Sequence, residues 1–168
     1  MGEAVLPSTI VIRPAIPEDS GGITEIFLDS AEYHAALDPE RYGIPERAMI
    51  SERYRSGRQH PPDTESALTL VAELRGEIVG FVDVRLDRSP DPMHRDLVYC
   101  HIVEIAVRTA SRNQGIGERL LTSAEAWGRE MGAEFASLEY LASNTRVRSF
   151  YHARMGYRPA AVTAIKRL

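Results

Sequence analysis

A single cysteine, Cys100, in 168 residues rules out an internal disulfide framework and fits a reducing compartment. Long apolar runs are missing too. Ile78–Val82 is among the longest, far short of the roughly 18–20 residues of a membrane helix. The first residues include Glu3 but no basic cluster and no extended apolar stretch, so no secretory signal is expected. A basic excess is also lacking: the net charge of −4 argues against a general nucleic-acid binder. Lysine is nearly absent, with Lys166 alone among arginines, a skew without an assigned meaning. No repeat, low-complexity tract or dividing linker interrupts the chain. What is present is 43% hydrophobic and 26% charged residues, enough for one well-buried core. The expectation is one cytoplasmic domain spanning residues 1–168.

Periodicity then places the elements. Thr9–Arg13 is a short β-branched run stopped by Pro14 and reads as an opening strand. Pro17-Glu18-Asp19-Ser20 reads as a helix start, followed by Ile23, Ile26, Phe27 and Ser30 at helical spacing. Tyr33 to Ser66 is polar and punctuated by proline, with a helix from about Pro45 to Arg55 and a loop over Gly57–Ser66. Ala67–Leu74 and Glu77–Leu86 are strands joined by Arg75-Gly76, a hairpin signal. Asp87–Asp96, interrupted by Pro90 and Pro92, is a loop. Leu97–Val107 reads as a central strand because its apolarity is nearly continuous. Gly115–Met131 is the clearest helix, with Ile116, Leu120, Ala124, Trp127 and Met131 on one face and Gly132 as its stop. Phe135–Leu141 is a strand, Thr145–Arg154 a helix and Val162–Leu168 a closing strand, with a further short strand near Tyr157. The class is mixed α/β.

One segment carries chemistry. Between the long strand and the clearest helix stands Arg112-Asn113-Gln114-Gly115-Ile116-Gly117. Its glycines allow a tight turn with unobstructed N–H groups, and the helix N-terminus adds positive potential, which together suit a phosphate. The nucleoside-triphosphate loop is excluded because no Lys-Ser/Thr follows. The dinucleotide fingerprint is excluded because Leu120 stands where its third glycine or alanine belongs. The bland alternative is that the two glycines only shape a turn. Cys100 reads as core filling, His34 and Asp38 make too small a set for a metal site, and Trp127 falls on an apolar stripe.

Arg112-x-x-Gly115-x-Gly117 resembles the coenzyme A-binding motif of the GCN5-related N-acetyltransferases, Gln/Arg-x-x-Gly-x-Gly/Ala. A second block, Asn144-x-x-Val147-x-x-Phe150-Tyr151 through Gly156-Tyr157, is similar to that family's closing motif, with Val147 and Tyr157 as mild departures. The element order agrees from about Thr9 to Leu168.

The resemblance implies a mixed α/β fold with a mostly antiparallel, twisted sheet of about six or seven strands, splayed at the cofactor cleft and flanked by about four helices. It implies acetyl-CoA as co-substrate, no metal, and direct acetyl transfer to a primary amine of a small molecule or peptide. A nucleic-acid or membrane partner is not implied, and a homodimer is compatible. The pantetheine arm would lie along the backbone of Ile105, Ala106 and Val107, with an amide there polarising the thioester carbonyl. The pyrophosphate would meet the amides of Asn113, Gln114, Gly115, Ile116 and Gly117, after Arg112. Asn144 matches a pantetheine contact, and Tyr151 the acid that protonates the departing thiolate. For the base, His101 is preferred on position and on its ordinary pKa near 6.5, with Glu104 as the alternative. A third reading makes His101 a satisfied interior histidine and Glu104 a salt-bridge partner. Strand alternation puts these two on opposite faces unless a bulge lies between them. The alternative from another class is a non-catalytic acyl-CoA sensor on the same fold. The residues about Ser30–Ser66, where the acceptor would be recognised, mix both charges and name no acceptor.

Overall fold

The computed structural model describes residues 9–57, 66–88 and 92–167. Most of the loop read over Gly57–Ser66, part of the loop over Asp87–Asp96, and Leu168 at the end of the closing strand lie outside the described residues. The strands are β1 (Val11–Pro14), β2 (Ala67–Leu74), β3 (Glu77–Arg88), β4 (Val98–Val107) and β5 (Phe135–Leu138). The helices are α1 (Ser20–Leu37), α2 (Arg47–Arg55), α3 (Ile116–Glu130) and α4 (Thr145–Ser149), and α4 runs on into a π-helical turn, Phe150–Arg154. The strands form one sheet in chain order. Neighbours are antiparallel from β1 to β4, and β5 joins β4 in parallel.

The β2–β3 hairpin closes as its sequence predicts. Leu74 pairs with Glu77, and both turn residues have positive φ, 54° at Arg75 and 81° at Gly76, matching the twist of the flanking strands. Alternation along β2 then sends its side chains to two different cores. Leu70 and Ala72 join Val82, Val84, Cys100 and Ile102 under α3, while Val71 joins Ile78 and Phe81 under α1 and α2. A sheet covered on both faces explains why β3 and β4 read as almost unbroken apolar text.

Asp19 fixes where α1 begins. Its buried carboxylate accepts two bonds from the Arg13 guanidinium, at 2.7 and 2.9 Å, and one from the Ile16 amide at 2.9 Å. The guanidinium holds that carboxyl below its ordinary range. Arg13 also donates to Glu73 at 2.8 Å, so one side chain ties β1, β2 and the entry to α1.

Several expectations need correction. The sheet has five strands among the described residues, against the six or seven expected. Residues 162–167 pair with no strand, and Val162 and Ile165 are 92% and 64% exposed. These two stand three apart and would point to opposite faces of a strand, so neither face would have been apolar enough to drive pairing. Near Tyr157 there is no strand either: its amide bonds to the Tyr151 carbonyl and its hydroxyl to Glu125 of α3. β5 ends at Leu138, and β3 continues to Arg88. α1 reaches Leu37, well past the point where its text turns polar. Met131 lies one residue past the end of α3 and is 45% exposed, and within the helix Leu121 and Gly128 take buried positions.

Gly128 is there because α3 lies directly on β4. A Cβ at this position would sit 2.4 Å from Cβ of Cys100 and 2.5 Å from its Sγ, both in a packed core. Gly128→Ala gains about 1 kcal/mol of helix propensity but is overpacked, a penalty of about 1–3 kcal/mol. The expected outcome is a net loss of stability, read as a lower urea midpoint with an unchanged slope.

Candidate active site

β4 and β5 pair only from Tyr99↔Phe135 to Ile102↔Leu138, and there they part. At the same place β4 carries an extra residue. Val84 pairs with Ile102 and Asp83 with Glu104, leaving Val103 as a bulge. Beyond it, the far edge of β4 has β3 on one side and no strand on the other. The gap widens into a cleft of about 660 Å³, within the usual size range of small-molecule sites. Its walls are Val103–Val107 of β4, Leu138–Tyr140, the start of α3, the α4 segment and one face of α1.

At one end stands the glycine loop. Asn113 and Gly115 both have left-handed backbones, with φ of 63° and 77°. Asparagine tolerates this conformation through its short polar side chain, and glycine has no Cβ to clash. Two such residues before a helix turn consecutive N–H groups to one side, and the α3 N-terminus adds its dipole. The loop is braced at both sides: Arg112 Nε donates to the Val107 carbonyl at 3.1 Å, and Arg146 donates to Asn113 Oδ1 at 3.2 Å. A Cβ on Gly117 would clear Phe150 and Val107 by 3.7 and 3.8 Å, so any larger side chain there would grow into the cleft mouth. Of the residues singled out for the coenzyme, Ile105, Ala106, Val107, Arg112, Asn113, Gly115, Ile116, Gly117 and Asn144 line the cleft. Gln114 is exposed and does not, and Ile116 buries its side chain in the core. The arrangement is suited to a pyrophosphate.

At the other end two titratable groups meet the cleft. Glu104 is mostly buried and accepts a long hydrogen bond, 3.4 Å, from the Ser30 hydroxyl of α1. Burial, reinforced by the neighbouring Asp83, pushes its carboxyl up to about 7. Tyr151, on the π turn, is buried among Tyr140, Phe150 and Tyr157, and burial pushes its phenol up to about 12. It is therefore a neutral donor at physiological pH. Such turns recur at functional sites because the extra residue re-aims a side chain. Asn144 caps α4 by accepting the Val147 amide at 3.2 Å and the Tyr33 hydroxyl at 3.4 Å, which leaves its NH₂ group for the cleft.

The alternation expected along β4 is overturned by the bulge. Cross-strand partners share a face, so Glu104 opposite Asp83 and His101 opposite Arg85 lie on the same side. They still do not share the site. His101 belongs to the paired part of β4, where its Nδ1 lies 3.1 Å from the Ser137 hydroxyl, and it does not line the cleft. Burial lowers its pKa.

Ser30, Tyr33 and His34 also line the cleft and were not singled out as cleft residues. Their i, i+3, i+4 spacing continues the α1 period and is the signal that could have placed them. His34 Nδ1 lies 2.8 Å from the Ser30 carbonyl, and Asp38 pairs with Arg41. Among the described residues no three metal-ligating side chains converge. Cys100 faces α3, away from the cleft. Its thiol donates to the Ala124 carbonyl at 3.4 Å, and burial pushes its pKa up to about 11. Trp127 packs, half-buried, against the same core.

The sequence model of the acetyltransferase (GNAT) family matches residues 26–157. An uncharacterized N-acetyltransferase of Methanocaldococcus jannaschii is 34% identical over 89 residues, covering 52% of this chain and 51% of that protein. The chain thus spans about half the length of this curated relative. Among solved structures, a mutant of the BH1408 protein of Bacillus halodurans superposes with a TM-score of 0.83 at 21% identity, covering 94% of this chain and 99% of that one. The aminoglycoside N-acetyltransferase AAC(6′)-Iy in complex with CoA gives 0.69 at 15% identity, covering 99% of both chains. At these identities the two structures speak for the fold.

The buried carboxyl of Glu104 leaves a mark on stability. Its proton is held near pH 4.5 in an ordinary setting and near 7 when folded, so the folded chain binds that proton more tightly. Stability fully present below about pH 4.5 is lost as pH rises through about 7, by on the order of 3 kcal/mol. Glu104→Gln removes that loss. Its denaturation midpoint should gain on the parent protein between pH 5 and pH 8; an equal difference at both pH values would contradict the shift.

Proposed function

The chain belongs to the acetyltransferase (GNAT) family, and from that premise we propose that it is an acetyl-CoA-dependent N-acetyltransferase acting on a primary amine of a small molecule or peptide. The observation that carries this reading is one cleft with a glycine loop suited to an anion at one end and a half-buried carboxyl and a buried phenol at the other. Its place of action is the cytoplasm, in keeping with the lone, buried Cys100. No helix among the described residues is long and apolar enough to cross a membrane.

Each residue has a separate task. The amides of Asn113–Gly117 hold the coenzyme's pyrophosphate. The free edge of β4 from Ile105 to Val107 hydrogen-bonds the pantetheine arm as a missing strand would, with the Asn144 amide on its other side. A β4 amide near Ile105 or Ala106 polarises the thioester carbonyl. Glu104 takes the proton of the acceptor amine, directly or through water, because a carboxyl near 7 is half ionised at neutral pH and basic enough to do so. The amine nitrogen then bonds to the acetyl carbon as the carbon–sulfur bond breaks. Tyr151 donates its proton to the departing thiolate. His101, preferred from sequence, gives way to Glu104 because its ring is engaged by Ser137 outside the cleft.

An acceptor screen with acetyl-CoA, read as release of free thiol, tests the reading. With the best amine, Tyr151→Phe should keep the fold and coenzyme affinity while turnover falls about 10²–10⁴-fold. A loss below about threefold would return Tyr151 to a packing role. Acetyl-CoA at 100 times its Kd should stabilise the protein by about 2.7 kcal/mol, with NAD and ATP at equal concentration doing less. Gly117→Val should weaken that effect by filling the loop's concave side. Equal stabilisation by all three nucleotides would overturn the coenzyme assignment.

A further inference from the structure

A second carboxyl, Asp83, lies at the centre of the sheet and has no task in the mechanism above. It is fully buried in β3, where ionisable side chains are rare unless paired. Its two oxygens accept the Tyr54 and Thr69 hydroxyls, each at 2.7 Å. Tyr54 reaches it from α2, with its ring set between Phe27 and Phe81. Thr69 comes from β2. Three elements thus converge to hold one carboxylate in place.

What that carboxylate faces is Glu104. The two are direct partners across β3 and β4, which brings their Cα atoms to about 4.5–5.5 Å on the same face. The bulge at Val103 creates this pairing: without it Glu104 would point to the opposite side. Two carboxyls on facing positions, one fully buried and one half-buried, do not both ionise freely. Asp83 accepts two short O–H bonds and Glu104 one at 3.4 Å, so hydrogen bonding favours the charge on Asp83 over that on Glu104, against the burial that pushes the Asp83 carboxyl up.

We propose that Asp83 is a positioning residue acting through Glu104: fixed by Tyr54 and Thr69, its negative charge raises the proton affinity of the neighbouring carboxyl to the range a base for an amine requires. The inference rests on Glu104 as the base. The other groups around Glu104 are the Ser30 hydroxyl and His34 on α1, Arg53 and Tyr54 on α2, and Tyr151 on the π turn. Arg53 acts against Asp83, favouring the ionised form of both carboxyls. Burial of Glu104 works in the same direction as Asp83, whereas burial of Asp83 pushes its own carboxyl up and is opposed by the Tyr54 and Thr69 hydroxyls.

The test follows the titration of Glu104 itself, by ¹³C NMR of protein labelled at the glutamate side-chain carboxyls, with its signal identified by loss in Glu104→Gln. In Asp83→Asn the midpoint should fall by about one pH unit or more, the scale on which coupled carboxyls interact. Tyr54→Phe removes one donor, lets Asp83 hold a proton more readily, and should move Glu104 the same way by less. Should Asp83→Asn fail to fold, Tyr54→Phe carries the test, since its ring packing is kept. An unchanged midpoint in the folded variants would overturn the inference and leave the base assignment standing. Full turnover in Glu104→Gln would overturn the base assignment, and the role of Asp83 with it, whatever the titration shows.

Discussion

Strands β4 and β5 stay paired for only four residues, and one inserted residue, Val103, marks the place where pairing stops. A parallel pair that continued would have used the outer N–H and C=O groups of β4 on β5 and filled the space between them with side chains. Their parting leaves outer backbone groups of β4 without a strand partner in the cleft, where an unmet polar group costs free energy until something meets it. An extended ligand arm with its own amides would meet that demand. The insertion also turns Glu104 toward Ser30 and Asp83 rather than into the core beneath α3, so one backbone feature makes both the entry and the reacting end.

The cleft has opposite electrostatic character at its two ends, and packing maintains both. The loop end depends on two left-handed residues and a helix terminus, braced by Arg112 and Arg146. The reacting end depends on withholding water from a carboxyl and a phenol. Burying Asp83 and Glu104 beside each other opposes folding, and the hydroxyls of Tyr54 and Thr69 only partly offset it. The apolar contacts of α1 and α2 with Val71, Ile78 and Phe81 hold the two helices over this pair.

Much of this was legible in the residues. The α3 stripe, the Arg75-Gly76 hairpin and the glycine loop are local patterns in which spacing alone dictates geometry, and each stands where its text put it. The α1 C-terminal turn was legible only as spacing: Ser30, Tyr33 and His34 keep the α1 period but are polar, because they face a cleft rather than a core. The closing strand was over-read: β-branched residues permit a strand, but without an apolar face nothing recruits Val162–Arg167 to the sheet. Met131 lies just past the last residue of α3, so it leaves the stripe and is exposed.

By itself, the sequence determined the mixed α/β class and the position of the glycine loop, because motifs and periodicity are properties of neighbouring residues, and its resemblance to a known family supplied the candidates Tyr151, His101 and Glu104. Which carboxyl or imidazole meets the cleft was decided by tertiary structure alone. A bulge is defined by two strands together: Val103 becomes an extra residue only when Asp83 pairs with Glu104 and Val84 with Ile102. That single change of register reversed the alternation after Ile102, and the continuing pair with β5 kept His101 bound to Ser137 while Glu104 turned to the gap.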